Sequence, residues 1–195
     1  MLSLPITREQ AIELLKKFPQ EEYDMIHYLE SEAIMRGLAE KFGEDADYWG
    51  MLGLLHDVDW AETKKNIPEH IEVAKEILKD AGFDENFISA IVSHGYGYEE
   101  KPKDLDKKRT RKIEHALAAA ETVTGLVHAY ALMRGKKISD MDAKGLKKKF
   151  KEKSFASKIR RDIIKECEDI GLELGEFFEV AIDSIKKIAK KVGLK

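Results

Sequence analysis

The chain has 195 residues, 34 basic and 37 acidic, giving a net charge of −3, and 43% of them are hydrophobic. This length suits one well-cored domain, and apolar residues recur along nearly all of it, which excludes a disordered chain. The small net charge hides a division: residues 1–100 hold 9 basic and 22 acidic side chains, while residues 101–195 hold 25 and 15. An acidic half suits a cation and a basic half an anion, so the two halves are expected to serve different ligands. The acidic total argues against general nucleic-acid binding. No apolar run approaches the roughly 18–20 residues of a membrane span, and Met1-Leu2-Ser3-Leu4-Pro5 lacks the basic-then-apolar pattern of a secretory signal. The single cysteine, Cys167, cannot form an internal disulfide, which fits a cytoplasmic location.

Periodicity is helical almost throughout, with no alternating strand. Thr7-Arg8-Glu9-Gln10 has capping-box spacing and predicts a first helix from Thr7 to about Lys17. A second is expected from near Gln20 to just before Gly43, with His27, Ser31, Ile34, Met35 and Leu38 on one face. A third runs from about Glu44 to Asp57, placing Trp49, Leu52 and His56 on a stripe. Pro68 opens a fourth, closed by Gly82, on which His70, Ala74 and Ile77 align. Asp84 caps a fifth that carries Phe87, Ile91 and His94, and residues 95–108 read as a loop.

A long helix from about Thr110 to Met133 aligns Glu114, Leu117, Glu121, Thr124 and His128. Ser139-Asp140-Met141-Asp142 starts another, which contains the lysine-rich stretch 147–151. Two closing helices are expected at roughly 157–170 and 173–192, parted by Gly171. The expected fold class is all-α: a single-domain helical bundle over 1–195, with C-terminal helices 139–192 packed on a core of about 20–130.

Four of the six histidines, His27, His56, His70 and His94, fall on the apolar faces of four successive helices. An unpartnered imidazole is costly to bury, and one shared cation would satisfy all four. His56-Asp57 ends the apolar run Met51-Leu52-Gly53-Leu54-Leu55, so a buried carboxylate joins them, and it too needs a positive partner. His115 points away from the Glu121 face and is expected to be structural or exposed. His128 shares that stripe two turns on. Cys167, among Ile163, Ile164 and Ile170, reads as a small buried hydrophobe, and Phe177 and Phe178 as core.

This ordered set resembles the HD superfamily of metal-dependent phosphohydrolases. The resemblance rests on an isolated His27, then Leu54-Leu55-His56-Asp57-Val58-Asp59-Trp60, Glu69-His70 opening a helix, Ile91-Val92-Ser93-His94 ending one, and an acidic residue on a later helix. It covers about 20–130, and the tail Lys149–Lys190 looks like that of small bacterial and archaeal members. It implies His27, His56 and Asp57 as metal ligands, with His70 and His94 at second-metal positions and Asp57 bridging. The family's last ligand is usually an aspartate in an Ala-Ala-Asp-like segment. Here Ala118-Ala119-Ala120-Glu121 places Glu121 there, a departure that moves the carboxylate by about a bond length. Gly95-Tyr96-Gly97 lacks the proline of the Gly-Tyr-Pro signature of cyclic-dinucleotide phosphodiesterases, and that substrate is not expected.

Histidine nitrogens and carboxylate oxygens suit Mn, Fe, Co, Ni or Zn, as one or two ions. Such an ion lowers the pKa of its water toward neutrality. The resemblance therefore implies hydrolysis of a phosphomonoester or nucleotide-like small molecule at Asp57, and Asp59, two residues on, is the second candidate catalytic carboxylate, with helix-end loop chemistry as its alternative role. Asp59 would orient a ligand histidine or the water. Phosphate needs cations, and Lys148, Lys149, Lys151, Lys153, Arg160 and Arg161 surround Ser154-Phe155. Lys153 and Arg160 are the expected substrate contacts, which requires part of the basic half to fold back over the acidic half. A di-iron oxygenase of the HD type, or a non-catalytic metal- or nucleotide-binding module, fits the same residues. Oligomeric state leaves no signal in the sequence.

Overall fold

The first helix starts where its capping chemistry says it should. In a computed structural model that describes residues 3–97 and 107–195, Thr7 Oγ1 accepts from Gln10 N at 3.2 Å, and Gln10 Oε1 accepts from Thr7 N at 2.7 Å. This reciprocal pair opens α1 (Arg8–Lys16). Helix α2 (Glu22–Phe42) ends at Gly43, whose φ of 69° is the left-handed cap that glycine adopts without penalty. Asp45 accepts from Asp47 N and Tyr48 N and starts α3 (Ala46–Leu55). There follow α4 (Trp60–Thr63), α5 (Glu72–Asp80), α6 (Glu85–Val92), α7 (Lys112–Met133), α8 (Ala143–Lys151), α9 (Arg161–Ile164) and α10 (Leu174–Ile188), with no strand among the described residues.

Helix α7 is the axis of the bundle. Its stretch Ala116–Ala120 is fully buried, and its small side chains let α2, α3, α6, α8, α9 and α10 all reach it. This helix is long and apolar enough to cross a membrane, with a mean hydropathy of 1.3 over its best window. However, 67% of that window is buried inside the protein, as expected of a core helix. One cluster of buried side chains runs from Ala11 through Leu194, and α10 lies against both α2 and α8.

Several expected elements are shorter in the structure, and the differences bear on function. The third helix stops at Leu55, so His56 is its C-cap and Asp57 lies beyond it. The fourth does not begin at Pro68. That proline sits in a single 3₁₀ turn, Ile67–Glu69, then His70 is extended, Ile71 has φ of 79°, and α5 starts only at Glu72. His70 therefore does not share a helix face with Ala74 and Ile77. A β-branched residue at positive φ costs about 1–3 kcal/mol, and tertiary hydrogen bonds around Asp59 hold it there. His94 lies in a 3₁₀ turn, Ser93–Gly95, rather than on α6. The helix expected over 157–170 is only α9 and a following 3₁₀ turn, Lys165–Cys167, and most of the expected loop 95–108 lies outside the described residues.

Helices α2 and α3 approach each other closely. A β-carbon on Gly53 would stand 2.6 Å from the Ser31 carbonyl oxygen, backbone against backbone, so only glycine permits this crossing. Ser31 lies one turn from His27, and Gly53 three residues from His56. Gly53→Ala is expected to force the two helices apart, at about 1–3 kcal/mol by analogy with overpacked cores, lowering the thermal midpoint by several degrees. Calorimetric melting of the variant against the parent checks this.

Candidate metal centre

His56 and His94 are held by the same local device. The carbonyls of a helix's last turn lack amide partners, and in each case the histidine three residues on supplies one. His56 Nδ1–H donates to Gly53 O at 2.9 Å at the end of α3, and His94 Nδ1–H donates to Ile91 O at 2.6 Å at the end of α6. A carbonyl can only accept, so in both rings Nε2 carries the lone pair and points inward. His27, on α2, is oriented differently. Its Nδ1 meets Thr124 Oγ1 at 2.9 Å, and the Thr124 hydroxyl donates to Glu121 O at 2.6 Å, so that oxygen can only accept from His27. His27 Nε2 then faces His56 Nε2 at 3.0 Å, lone pair against lone pair.

Asp57 closes both sides of the site. Its Oδ2 lies 3.5 Å from His56 Nε2 and 3.9 Å from His27 Nε2. Its Oδ1 lies 3.1 Å from His94 Nε2 and 3.4 Å from His70 Nε2, and those two nitrogens are 3.3 Å apart. Two triads with metal-ligand spacing result, His27-His56-Asp57 and Asp57-His70-His94, sharing one carboxylate. The donor set fits a divalent cation in each, because repelling imidazole lone pairs with an anion beside them need positive charge between them. His56 is buried, while the His27 and Asp57 side chains stay 28% and 15% exposed, leaving the centre open on that side.

Asp59 is fully buried and orients His70. Its carboxylate accepts from His70 Nδ1 at 3.0 Å and from Ile71 N at 2.8 Å, and Thr63 Oγ1 donates to its backbone carbonyl at 3.0 Å. Of the two roles expected for Asp59, the geometry supports orienting a ligand histidine. The same bonds explain the break before α5: Asp59 takes the amide of Ile71 and the ring of His70 together.

Burial pushes His27 down, and it takes His56 down to about 3. Burial acts on His70 in the same direction, but the Asp57 and Asp59 carboxylates overcome it and raise that ring to about 10. Asp57 would be raised by burial, yet His56, His70 and His94 hold it well below the usual carboxylate range. His27 and His56 are therefore neutral near pH 7, whereas metal-free His70 carries a proton that a cation must displace.

The other expected site residues are more scattered. Glu121 is buried on α7 and belongs to neither triad; the Thr122 hydroxyl engages its carboxyl, and burial, with Asp57 nearby, raises it to about 8. Lys153 is exposed. Arg160 pairs with Asp162, and its Nη1 donates to Gly97 O at 3.2 Å, three residues beyond His94. Arg161 is turned to the carbonyls of Phe150 and Phe155. His128 pairs with buried Glu30 at 2.7 Å and His115 with Glu166 at 2.7 Å; neither histidine belongs to the two triads, and His115, Glu166 and Asp169 form a separate group with metal-ligand spacing. Burial raises the Cys167 thiol to about 12, as befits a core residue.

Sequence reasoning missed two cations. Lys64 sits against Glu21 and Asp24, one turn before His27. Arg109 is 6% exposed and donates to His94 O and Tyr96 O at 3.0 and 2.9 Å. Neither lies on a periodic face, so only a tertiary contact reveals them.

An all-α bundle with four of its six histidines gathered round one aspartate offers candidate sites for divalent cations. The HD domain family matches residues 25–125, more than half of the chain, and the chain belongs to that family. HD domains bind divalent metals and are usually metal-dependent hydrolases. No solved structure matches the chain.

The two triads should differ in pH dependence. A cation at Asp57-His70-His94 displaces the His70 proton, so its apparent affinity is expected to rise about tenfold per pH unit on the way to about 10. At His27-His56-Asp57 no proton is displaced near neutrality, and affinity there stays nearly flat. Competition titrations with a chelator at several pH values resolve the two behaviours.

Proposed function

We propose that this chain is a metal-dependent phosphohydrolase acting on a phosphomonoester or nucleotide-like small molecule, using two divalent transition ions of the Mn, Fe, Co, Ni and Zn group. The observation that carries this reading is the pair of triads sharing Asp57. Two ions held by these residues would supply a nucleophile from water at neutral pH and neutralise the charge on transferring phosphoryl oxygens.

The chain's own residues make that chemistry specific. Neutral His27 and His56 present lone pairs without losing protons. Asp59 keeps His70 Nδ1 occupied, so only Nε2 faces the centre. Partial exposure of His27 and Asp57 supports access from solvent on that side, and Arg160, held at Gly97 O, is the basic-half residue that supports an anion-binding role at the edge of the His94 side. Nothing comparable supports Lys153, which is exposed.

Elemental analysis of the purified chain followed by a phosphate-release screen with the metal found is the direct test. Expected are about two ions per chain and release that chelation abolishes and metal restores. His56→Ala and Asp57→Ala should each reduce metal affinity and release by about 100-fold or more. Full activity in metal-free protein overturns the proposal. Iron with oxygen uptake and no phosphate release would replace it with the oxygenase reading.

A further inference from the structure

His94 presents its ring to Asp57 from a 3₁₀ turn, and such a turn lacks the hydrogen-bond ladder that keeps an α-helical ligand in place. Ile91 O fixes the ring's Nδ1, but the backbone carrying the ring needs its own anchor. Arg109 provides it: one guanidinium nitrogen, Nη2, takes the carbonyls of both His94 and Tyr96. Nη1 turns the other way, to Glu166 Oε1 at 3.0 Å, and the second oxygen of Glu166 meets His115 Nδ1 at 2.7 Å. Arg109 is nearly buried, which fixes the fork in one orientation and strengthens its charge-assisted bonds. The only anion holding that fork among the described residues comes from the 3₁₀ turn Lys165–Cys167, about 40 residues beyond the matched HD segment.

We infer that Arg109 and Glu166 are positioning residues for the second metal triad: Glu166, braced by His115, holds Arg109, and Arg109 holds the turn that carries His94. This rests on the two-ion reading above. The C-terminal segment thereby sets the occupancy of the Asp57-His70-His94 side, to which His94 belongs, more strongly than that of His27-His56-Asp57. The path is a chain of direct bonds from His115 to the backbone of His94, and it reaches the other triad only through the His94 ring, edge-on to His56 at 5.3 Å, and the shared Asp57.

The metal-free full-length chain is titrated with Co²⁺, followed by calorimetry and by visible absorption of the bound ion. The parent is expected to bind two ions. In Glu166→Gln, which keeps the side chain's shape, the first ion binds as in the parent and the second binds about 10-fold or more weakly, the range typical of groups that orient ligands. Arg109→Lys does the same, and adding Glu166→Gln to it causes no further loss, since Glu166 acts through Arg109. His115→Gln, which removes only the outermost bond, reproduces the split in weaker form. An unchanged second ion in Glu166→Gln, or equal weakening of both ions in all variants, overturns the inference while leaving the two-ion reading intact. A parent that takes up fewer than two ions overturns both.

Discussion

The Asp57 carboxylate faces two histidines through each of its oxygens, with His27 and His56 beside Oδ2 and His70 and His94 beside Oδ1. In a largely dry setting this is stable only with positive charge among the partners. The metal-free chain meets the need in part, by leaving a proton on His70. On the other side His27 and His56 stay neutral, with their lone pairs 3.0 Å apart. That asymmetry makes one carboxylate common to two unlike candidate cation sites, and it accounts for so much of the surrounding hydrogen bonding being given to orienting imidazoles.

The candidate ligands stand at the ends of helices rather than along them. His56 follows α3, His94 follows α6, and His70 precedes α5. At these places the backbone has groups to spare: two last-turn carbonyls accept from two histidine rings, and the Asp59 carboxylate takes an amide that has no partner in α5. Only His27 lies within a helix, and the Gly53–Ser31 crossing brings α2 close enough to α3 for its ring to meet that of His56. The positive φ of Ile71 is local strain accepted where the centre needs His70 turned inward.

Charge is divided more subtly than the totals for the two halves suggest. The basic half does reach the centre, but through Arg109 and Arg160 at the turn after His94, not through the lysines of α8. Lys64 comes from the acidic half and neutralises Glu21 and Asp24 at the start of α2. The lysine-rich face of α8 is a solvated surface, with Lys149 lying over Phe155.

How much was legible from sequence differs between fold and site. Capping boxes and apolar periodicity locate α1, α2 and α7 closely, because those signals are local. The five residues of the two triads were also legible, since burying that many imidazoles and a carboxylate is hard to explain without a cation. Their placement was not: the periodic reading put His70 and His94 on helix faces, whereas hydrogen bonds to Asp59 and Ile91 hold them in turns. Glu121, matched by its segment to a ligand position, is buried on α7 near Asp57 and His70, with Thr122 on its carboxyl, a surrounding that only the tertiary structure gives. The sequence by itself determined an all-α chain and the residue types able to hold metal, because helix propensity and the cost of burying polar groups act residue by residue. Only the tertiary structure decided which nitrogens face one another and which arginine holds the His94 turn, because those depend on contacts between segments far apart in the chain.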